Sequence, residues 1–514
     1  MYLILVYIVL LLGVSFYKNK KWNTEVLSVG AKRGWVITGL SLFMYFVSVD
    51  YMQLCFEVIR TQGLWGMWLY WASMISVFVV PLVFAPLWRR LDLRSDNDFI
   101  LTRFSGNGAK TLYLFRAYYV GVLIIPVVIS LHVLAFSKLL TAYFGYGKPV
   151  SLGITAVLLL LFAVKNSLAI KMRTDVLHAT LYIFAMVLLI YYVQEGSGGF
   201  FHAISVLESA APHRLQVWPK GQEQYFYALA LLGVQWWSVH LFDGSGPEMI
   251  RFSTSRNERE AVRTGILGVL LYFISNAAIV AGIMMLLSVQ TNYSEIDDFH
   301  TLVKKTLPSW TAPILLLGWF SIFISTCESL LLWSVGMWAP TIYARVSGKS
   351  GELPPYFLFL AMLAVSLLAV LSAFTYEYLY EVTKWFFVLS AGVAPLFVLR
   401  WFYYRINAWT QLSSMVSIPV LVAIYSLLPL EGILPFVQNE TGGYIWKMLI
   451  ITVLSLLTAL IVGSLTVEDD TVTIRKFRRH IPPVKDIFRV FMKAILLGFG
   501  CFFLWIFLWS LLFS

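Results

Sequence analysis

Charge is scarce in this chain. Only 13% of its 514 residues are Asp, Glu, Lys or Arg. Soluble domains carry about twice that share, so the composition argues against a water-soluble fold. Cysteine is scarcer still. Cys55, Cys327 and Cys501 each lie in a different apolar run, which leaves neither a disulfide framework nor metal-ligand spacing. The seven histidines are scattered and none pairs at ligand spacing. An integral membrane enzyme needs a clustered acid, base or metal set, so that class is disfavoured, and no organic cofactor is expected. The loop Asp243-Gly244-Ser245-Gly246 lacks a terminal Gly-Lys-Ser/Thr and is no nucleotide cradle. A secretory leader is missing too. The first apolar run precedes Lys18, Lys20 and Lys21, the reverse of a signal peptide, and reads as a retained first span with its N-terminus outside.

Apolar residues are abundant. They make up 59% of the chain, and the mean hydropathy is +0.78. The apolar runs are about 20 residues long, the length of a membrane-crossing helix rather than of a barrel strand. The expected fold is an all-α polytopic membrane protein with fourteen spans. They lie near 2–17, 35–59, 64–88, 111–142, 150–165, 175–193, 224–243, 263–288, 312–342, 355–373, 379–404, 413–430, 444–464 and 490–512. The net charge of +11 sits in short loops, so it reports topology rather than nucleic-acid binding. With the N-terminus outside, 28 of the 38 basic residues fall on the inner side. Both termini then face outward from the plasma membrane. The segment 194–223 is an outer loop long enough for a short helix. Residues 475–480 form a basic stretch suited to the inner headgroups.

Polar groups inside the spans are the functional candidates, because each must find or serve a partner in hydrocarbon. Phe320–Tyr343 carries Ser325, Thr326 and Ser329, with Glu328 among them. At about 100° per residue, Ile322, Ser325, Thr326 and Ser329 share roughly a third of the helix circumference. Hydroxyl and carbonyl oxygens at one depth suit a small hard cation. Bonding back to the preceding turn, or helix packing, would explain the same hydroxyls. Asp50 lies in the second span and is either functional or paired to a neighbouring helix. Asp175 opens the sixth span, where a carboxylate also complements the helix dipole. Gln235, Trp236 and Trp237 place amide and indole groups in one turn of the seventh span. Such a set can read a polar solute and stack on its apolar face. Spans two to six and seven to eleven form two groups of five with opposite starting orientation, the parity of an inverted repeat. The expected division is 1–33 as a leading helix, 34–406 as the core (34–193 and 224–406) and 407–514 as three peripheral helices.

Several of these stretches resemble the sodium/solute symporters, the family of sodium-coupled proline and sugar carriers. The family has a Ser-Thr pair, a third hydroxyl three residues on and a helix ending Asp-x-Tyr. This chain has Ser325-Thr326, Ser329 and Thr341-Ile342-Tyr343, with Thr341 in place of Asp and no Asn near Leu332. The loop Asp96 to Gly106 resembles the family's inner E-F-L-x-x-R-F-G segment, here read as an amphipathic loop with basic residues at the headgroups. Thr174-Asp175-Val176-Leu177-His178 matches Thr-Asp-x-x-Gln except at His178. Gln235-Trp236-Trp237, the glycine-bearing loop and Arg251 resemble one branch of the symporters. The resemblance covers roughly 35 to 405.

What it implies is a five-plus-five inverted-repeat transporter core running sodium-coupled symport of a small polar solute, a sugar, amino acid or carboxylate. It implies an unwound second span at Asp50, although the glycines that usually ease the break are lacking. Sodium would bind between Val47–Tyr51 carbonyls, with Val47 and Asp50 as candidates, and Ile322, Ser325 and Thr326. Asp175 would serve a possible second sodium, and Gln235, Trp236 and Trp237 would hold the solute. A symporter-like membrane sensor and a proton-coupled carrier are the alternatives.

Overall fold

The structure is a computed structural model. It describes residues 32–163, 168–238, 242–290, 298–348, 353–428, 433–467 and 469–513. The expected span near 2–17 lies outside them. Ten helices are long and apolar enough to cross a membrane among the described residues, or eleven with one bent pair counted as a span. Two expected spans run partly outside the described residues. The one near 150–165 is described as the helix Lys148–Ala163, and the one near 224–243 as the helix Gly221–Gly233 followed by a tight turn. The expected short helix of the outer loop is present at Phe200–Ala210.

The bent pair is the second span. Helix α1, Trp35–Phe46, and helix α2, Val49–Gln62, meet at 46° across Val47 and Ser48. Both break residues are extended, with φ −86° at Val47 and −142° at Ser48. Any L-residue adopts such angles, so the break needs no glycine. It leaves carbonyls at the end of α1 without the partners a continued helix would supply. The seventh span breaks likewise. Its helix Gly221–Gly233 gives way to a single tight turn at Gln235–Trp237.

The chain groups into two compact units. One takes the described parts of 1–63, 117–215 and 250–379, and the other takes 64–116, 216–249 and 380–514. Each draws on both halves of the expected repeat. The first unit contains α1, α2, α3 (Ile125–Phe144), α4 (Leu168–Gly196), most of α5 (Pro247–Thr254), α6 (Glu258–Gln290) and α7 (Ala312–Ser347). Its centre is α7. Proline opens this helix at Pro313, where a missing N–H costs nothing, and Gly348 closes it with φ +68°. It packs on α4 so closely that a Cβ at Gly318 would lie 2.3 Å from the Ala185 Cβ. Phe323 stacks on Phe136 of α3 with ring centroids 4.5 Å apart.

In the second unit, buried ion pairs tie several loops together. Asp243 accepts from Arg400 at 2.6 Å and from the Trp401 indole at 2.9 Å. Its own N–H-bearing turn relies on Gly244 and Gly246, at φ +68° and +75°. Arg116 pairs with Asp96. Arg103 does not reach headgroups as the sequence suggested. It is fully buried, paired with Asp469 at 3.3 Å and donating to the carbonyls of Arg400 and Ile406. A guanidinium can bridge a carboxylate and two carbonyls at once, which is why it is worth burying here. The last helix, Val484–Leu512, lies against the third span, with Phe502 edge-on to Trp68 at 5.1 Å.

Candidate cation site

The break in the second span and the hydroxyl face of α7 meet. The Thr326 hydroxyl donates to the Val47 carbonyl at 3.1 Å and lies 3.3 Å from the Met44 carbonyl. Val47, Ile322, Ser325 and Thr326 are all buried. Ile322 precedes Thr326 by one turn on the same helix. The donors assembled here are hydroxyl and carbonyl oxygens, uncharged and hard, the set that replaces the water of a small hard cation rather than the nitrogen and sulfur set of a transition metal. Sequence reasoning named Val47 but missed Met44. A backbone donor has no side-chain signature. The only available clue was the position of the break.

One residue away, Ser325 donates into a second cluster. Its hydroxyl donates to Asp175 Oδ1 at 2.6 Å. Ser41 of α1 donates to Oδ2 at 2.5 Å. The Lys171 ammonium, one turn before Asp175 on α4, sits 2.8 and 2.7 Å from the two oxygens. Arg251 of α5 lies 3.8 Å from Oδ2, and its guanidinium donates to Ser41 at 3.1 Å and Ser329 at 2.9 Å. Glu328 is buried and near enough for its charge to act on Lys171. Two cations and two carboxylates therefore share one buried volume on α4, α5 and α7. The sequence signal for Lys171 was its four-residue spacing to Asp175.

Asp50 is not drawn into either cluster by a direct bond. It starts α2, and its Oδ1 lies 2.6 Å from His132 Nδ1 on α3. Both are buried. The partners are 82 residues apart in sequence, so no spacing rule would have joined them.

Gln235, Trp236 and Trp237 belong to the second unit. Gln235 is buried, donates to the Leu69 carbonyl at 3.2 Å and accepts from the Tyr444 hydroxyl at 2.7 Å. The Trp237 indole donates to the Ala391 carbonyl at 3.0 Å. Trp236 and Trp237 are half-buried and meet edge-to-face, ring centroids 5.1 Å apart. The tight turn after Gly233 thus holds the two rings, while the amide of Gln235 fixes the turn.

A long-helix bundle with a broken span facing buried hydroxyls is an arrangement that secondary transporters use. The sequence model of the sodium:solute symporter family matches residues 28–417, and this chain belongs to that family. It is therefore a multi-pass membrane protein and a secondary transporter. Among solved structures, a sodium-coupled sialic acid symporter in a substrate-bound outward-open state, described as revealing a novel sodium site, is similar in fold. Its TM-score is 0.71 at 15% identity, over 91% of this chain and 98% of that one. Mhp1, a nucleobase-cation-symport-1 family transporter, aligns at TM-score 0.49 and 10% identity over 88% of this chain and 98% of that one. A manganese transporter of Eremococcus coleocola aligns at 0.46 and 12% identity over 97% of each. No curated protein matches the sequence.

Proposed function

We propose that the protein is a sodium-coupled symporter of a small polar organic solute, a sugar, amino acid or carboxylate, working by alternating access. The observation that carries this reading is the meeting of two break-end carbonyls, Met44 and Val47, with the Thr326 hydroxyl at 3.3 and 3.1 Å. In this reading sodium binds there, with the Ser325 hydroxyl oxygen and the Ile322 carbonyl completing the set. Asp50 acts from beside the break, at the start of α2. Membership of the sodium:solute symporters supports the choice of ion. The breaks in the second and seventh spans support an inverted repeat, since corresponding first helices of the two halves are the ones expected to be discontinuous.

The solute stacks on Trp236 and Trp237 in this reading. Gln235 holds the turn that presents them, through its bonds to Leu69 and Tyr444. Inward movement of one sodium charge yields about 2.3 kcal/mol per 100 mV. That is more than an order of magnitude of solute accumulation before the ion's own gradient is added. Sodium favours the outward-open state and the solute closes it, which requires each to bind the two states unequally. The plasma membrane, with both termini outside, completes the reading, on the strength of the basic inner loops.

The test is uptake into proteoliposomes under an imposed sodium gradient. Labelled sugars, amino acids and carboxylates are offered in turn, and one class should accumulate. A proton-coupled carrier would accumulate solute under a pH gradient without sodium. A sensor would bind solute and accumulate none.

A further inference from the structure

We propose that Lys171 is a built-in cation at Asp175, so that this carboxylate binds no transported ion and a single sodium moves with the solute. The inference rests on the sodium reading of the α1–α7 site.

The geometry supports it in three ways. First, the ammonium straddles the carboxylate, 2.8 Å from Oδ1 and 2.7 Å from Oδ2. That is where a bare cation would sit to use both oxygens. Second, the remaining capacity of the carboxylate is taken. An ionised Asp offers about four lone-pair positions. Ser325 and Ser41 donate to it at 2.6 and 2.5 Å, and Arg251 stands 3.8 Å away. Third, the neighbouring hydroxyl is engaged as well. Ser329 accepts from Arg251 at 2.9 Å while donating to the Ser325 carbonyl at 3.0 Å.

Charge points the same way. The groups facing Lys171 are Asp175 and His178 from its own helix, Arg251 from α5 and Glu328 from α7. Lys171 and Arg251 balance Asp175 and Glu328. A sodium ion entering this volume would find no unbalanced negative charge to hold it. A tethered ammonium differs from sodium in one functional respect. It cannot leave, so it contributes to the folded site in every state of the cycle and carries no charge across the membrane.

Counting bound sodium in the purified full-length protein tests the idea without knowledge of the solute. Radioactive sodium binding at saturation should give one ion for the wild type. Lys171→Met should give two, because Asp175 then lacks its ammonium. Lys171→Gln should do the same. Lys171→Arg should stay at one. Adding Asp175→Asn to Lys171→Met should return the count to one.

Two ions on the wild type would overturn the inference without any variant. So would one ion on both neutral variants. A wild type that binds none, with one on Lys171→Met, would support the role of Lys171 while defeating the sodium reading of the α1–α7 site. None on either would defeat both.

Discussion

Thr326 and Ser325 are adjacent on α7, yet their hydroxyls donate into clusters of opposite make-up. Thr326 faces carbonyls left by the break after Phe46, and its partners bear no net charge. Ser325 faces a carboxylate already held by an ammonium, a second hydroxyl and a nearby guanidinium. The first cluster offers neutral oxygens and, in the proposed reading, takes its cation from solution. The second is charge-balanced from within the chain. Reversible binding needs the first kind of site, since an ion from solution must both enter and leave. The second kind gives a fixed joint between α1, α4, α5 and α7.

Breaking the fixed joint should have the largest effect. Asp175→Asn leaves Lys171 and Arg251 as buried cations with one fewer carboxylate. Removing one partner of a buried pair typically costs about 3–5 kcal/mol. The thermal midpoint of the purified protein in detergent should fall sharply. Lys171→Met combined with Asp175→Asn should recover part of the loss, because the pair is then removed together. A midpoint unchanged by Asp175→Asn would mean that the carboxylate is not ionised in the fold.

Next comes the proposed binding cluster. In the sodium reading Thr326→Ala removes one ligand from a desolvated ion, and leaving a partner unsatisfied costs about 1–3 kcal/mol. Sodium affinity, read from sodium-dependent thermal stabilisation, should weaken by about 5- to 150-fold. The midpoint without sodium should move little. Thr326→Ser keeps the hydroxyl and should keep the affinity. If Thr326→Ala binds sodium like the wild type, the distinction between the two clusters fails at its centre.

The helices were legible in the sequence for a simple reason. Runs of about 20 apolar residues admit few other structures. The broken seventh span was not, because no proline or charge marks the change after Gly233. At the site, side-chain donors such as Thr326 and Asp175 could be named from buried polarity alone. Met44 could not, since its contribution is a carbonyl exposed by a break elsewhere. Pairings over long separations were equally hidden. Asp50 finds His132 across 82 residues, and Ser41 finds Asp175 across 134. Arg103 misled for the opposite reason: its sequence context looks like a headgroup-facing loop, but Asp469 draws it inward.

Asp50 offers a smaller, sharper comparison with Thr326. Its Oδ1 lies 2.6 Å from His132 Nδ1, and in the proposed reading its help to sodium acts through charge and through the shape of the break. Asp50→Asn keeps a hydrogen-bonding side chain of the same size at that position. Sodium affinity should fall in the same direction as in Thr326→Ala and by a lesser factor. His132→Ala should produce a similar loss if the pair shapes the break. An Asp50→Asn loss exceeding that of Thr326→Ala would make the carboxylate itself a ligand.

The smallest effect is expected at Glu328, although it is a buried acid inside the hydroxyl signature. Counting about 100° per residue, Glu328 points roughly 160° away from Thr326, so one ion can hardly touch both. Its charge instead acts on Lys171, within the balanced cluster. Glu328→Gln keeps the shape and removes one negative charge, leaving Asp175 still bonded to Lys171 by both oxygens. Sodium affinity should stay near the wild-type value, and its dependence on pH should not change. If Glu328 instead exchanges a proton during transport, uptake by the wild type should vary with pH at fixed sodium, and Glu328→Gln should abolish that variation. A flat profile in both would assign Glu328 to the joint. A pH-dependent wild type beside a flat variant would make it a second coupling group and would undo the division between a binding cluster and a fixed one.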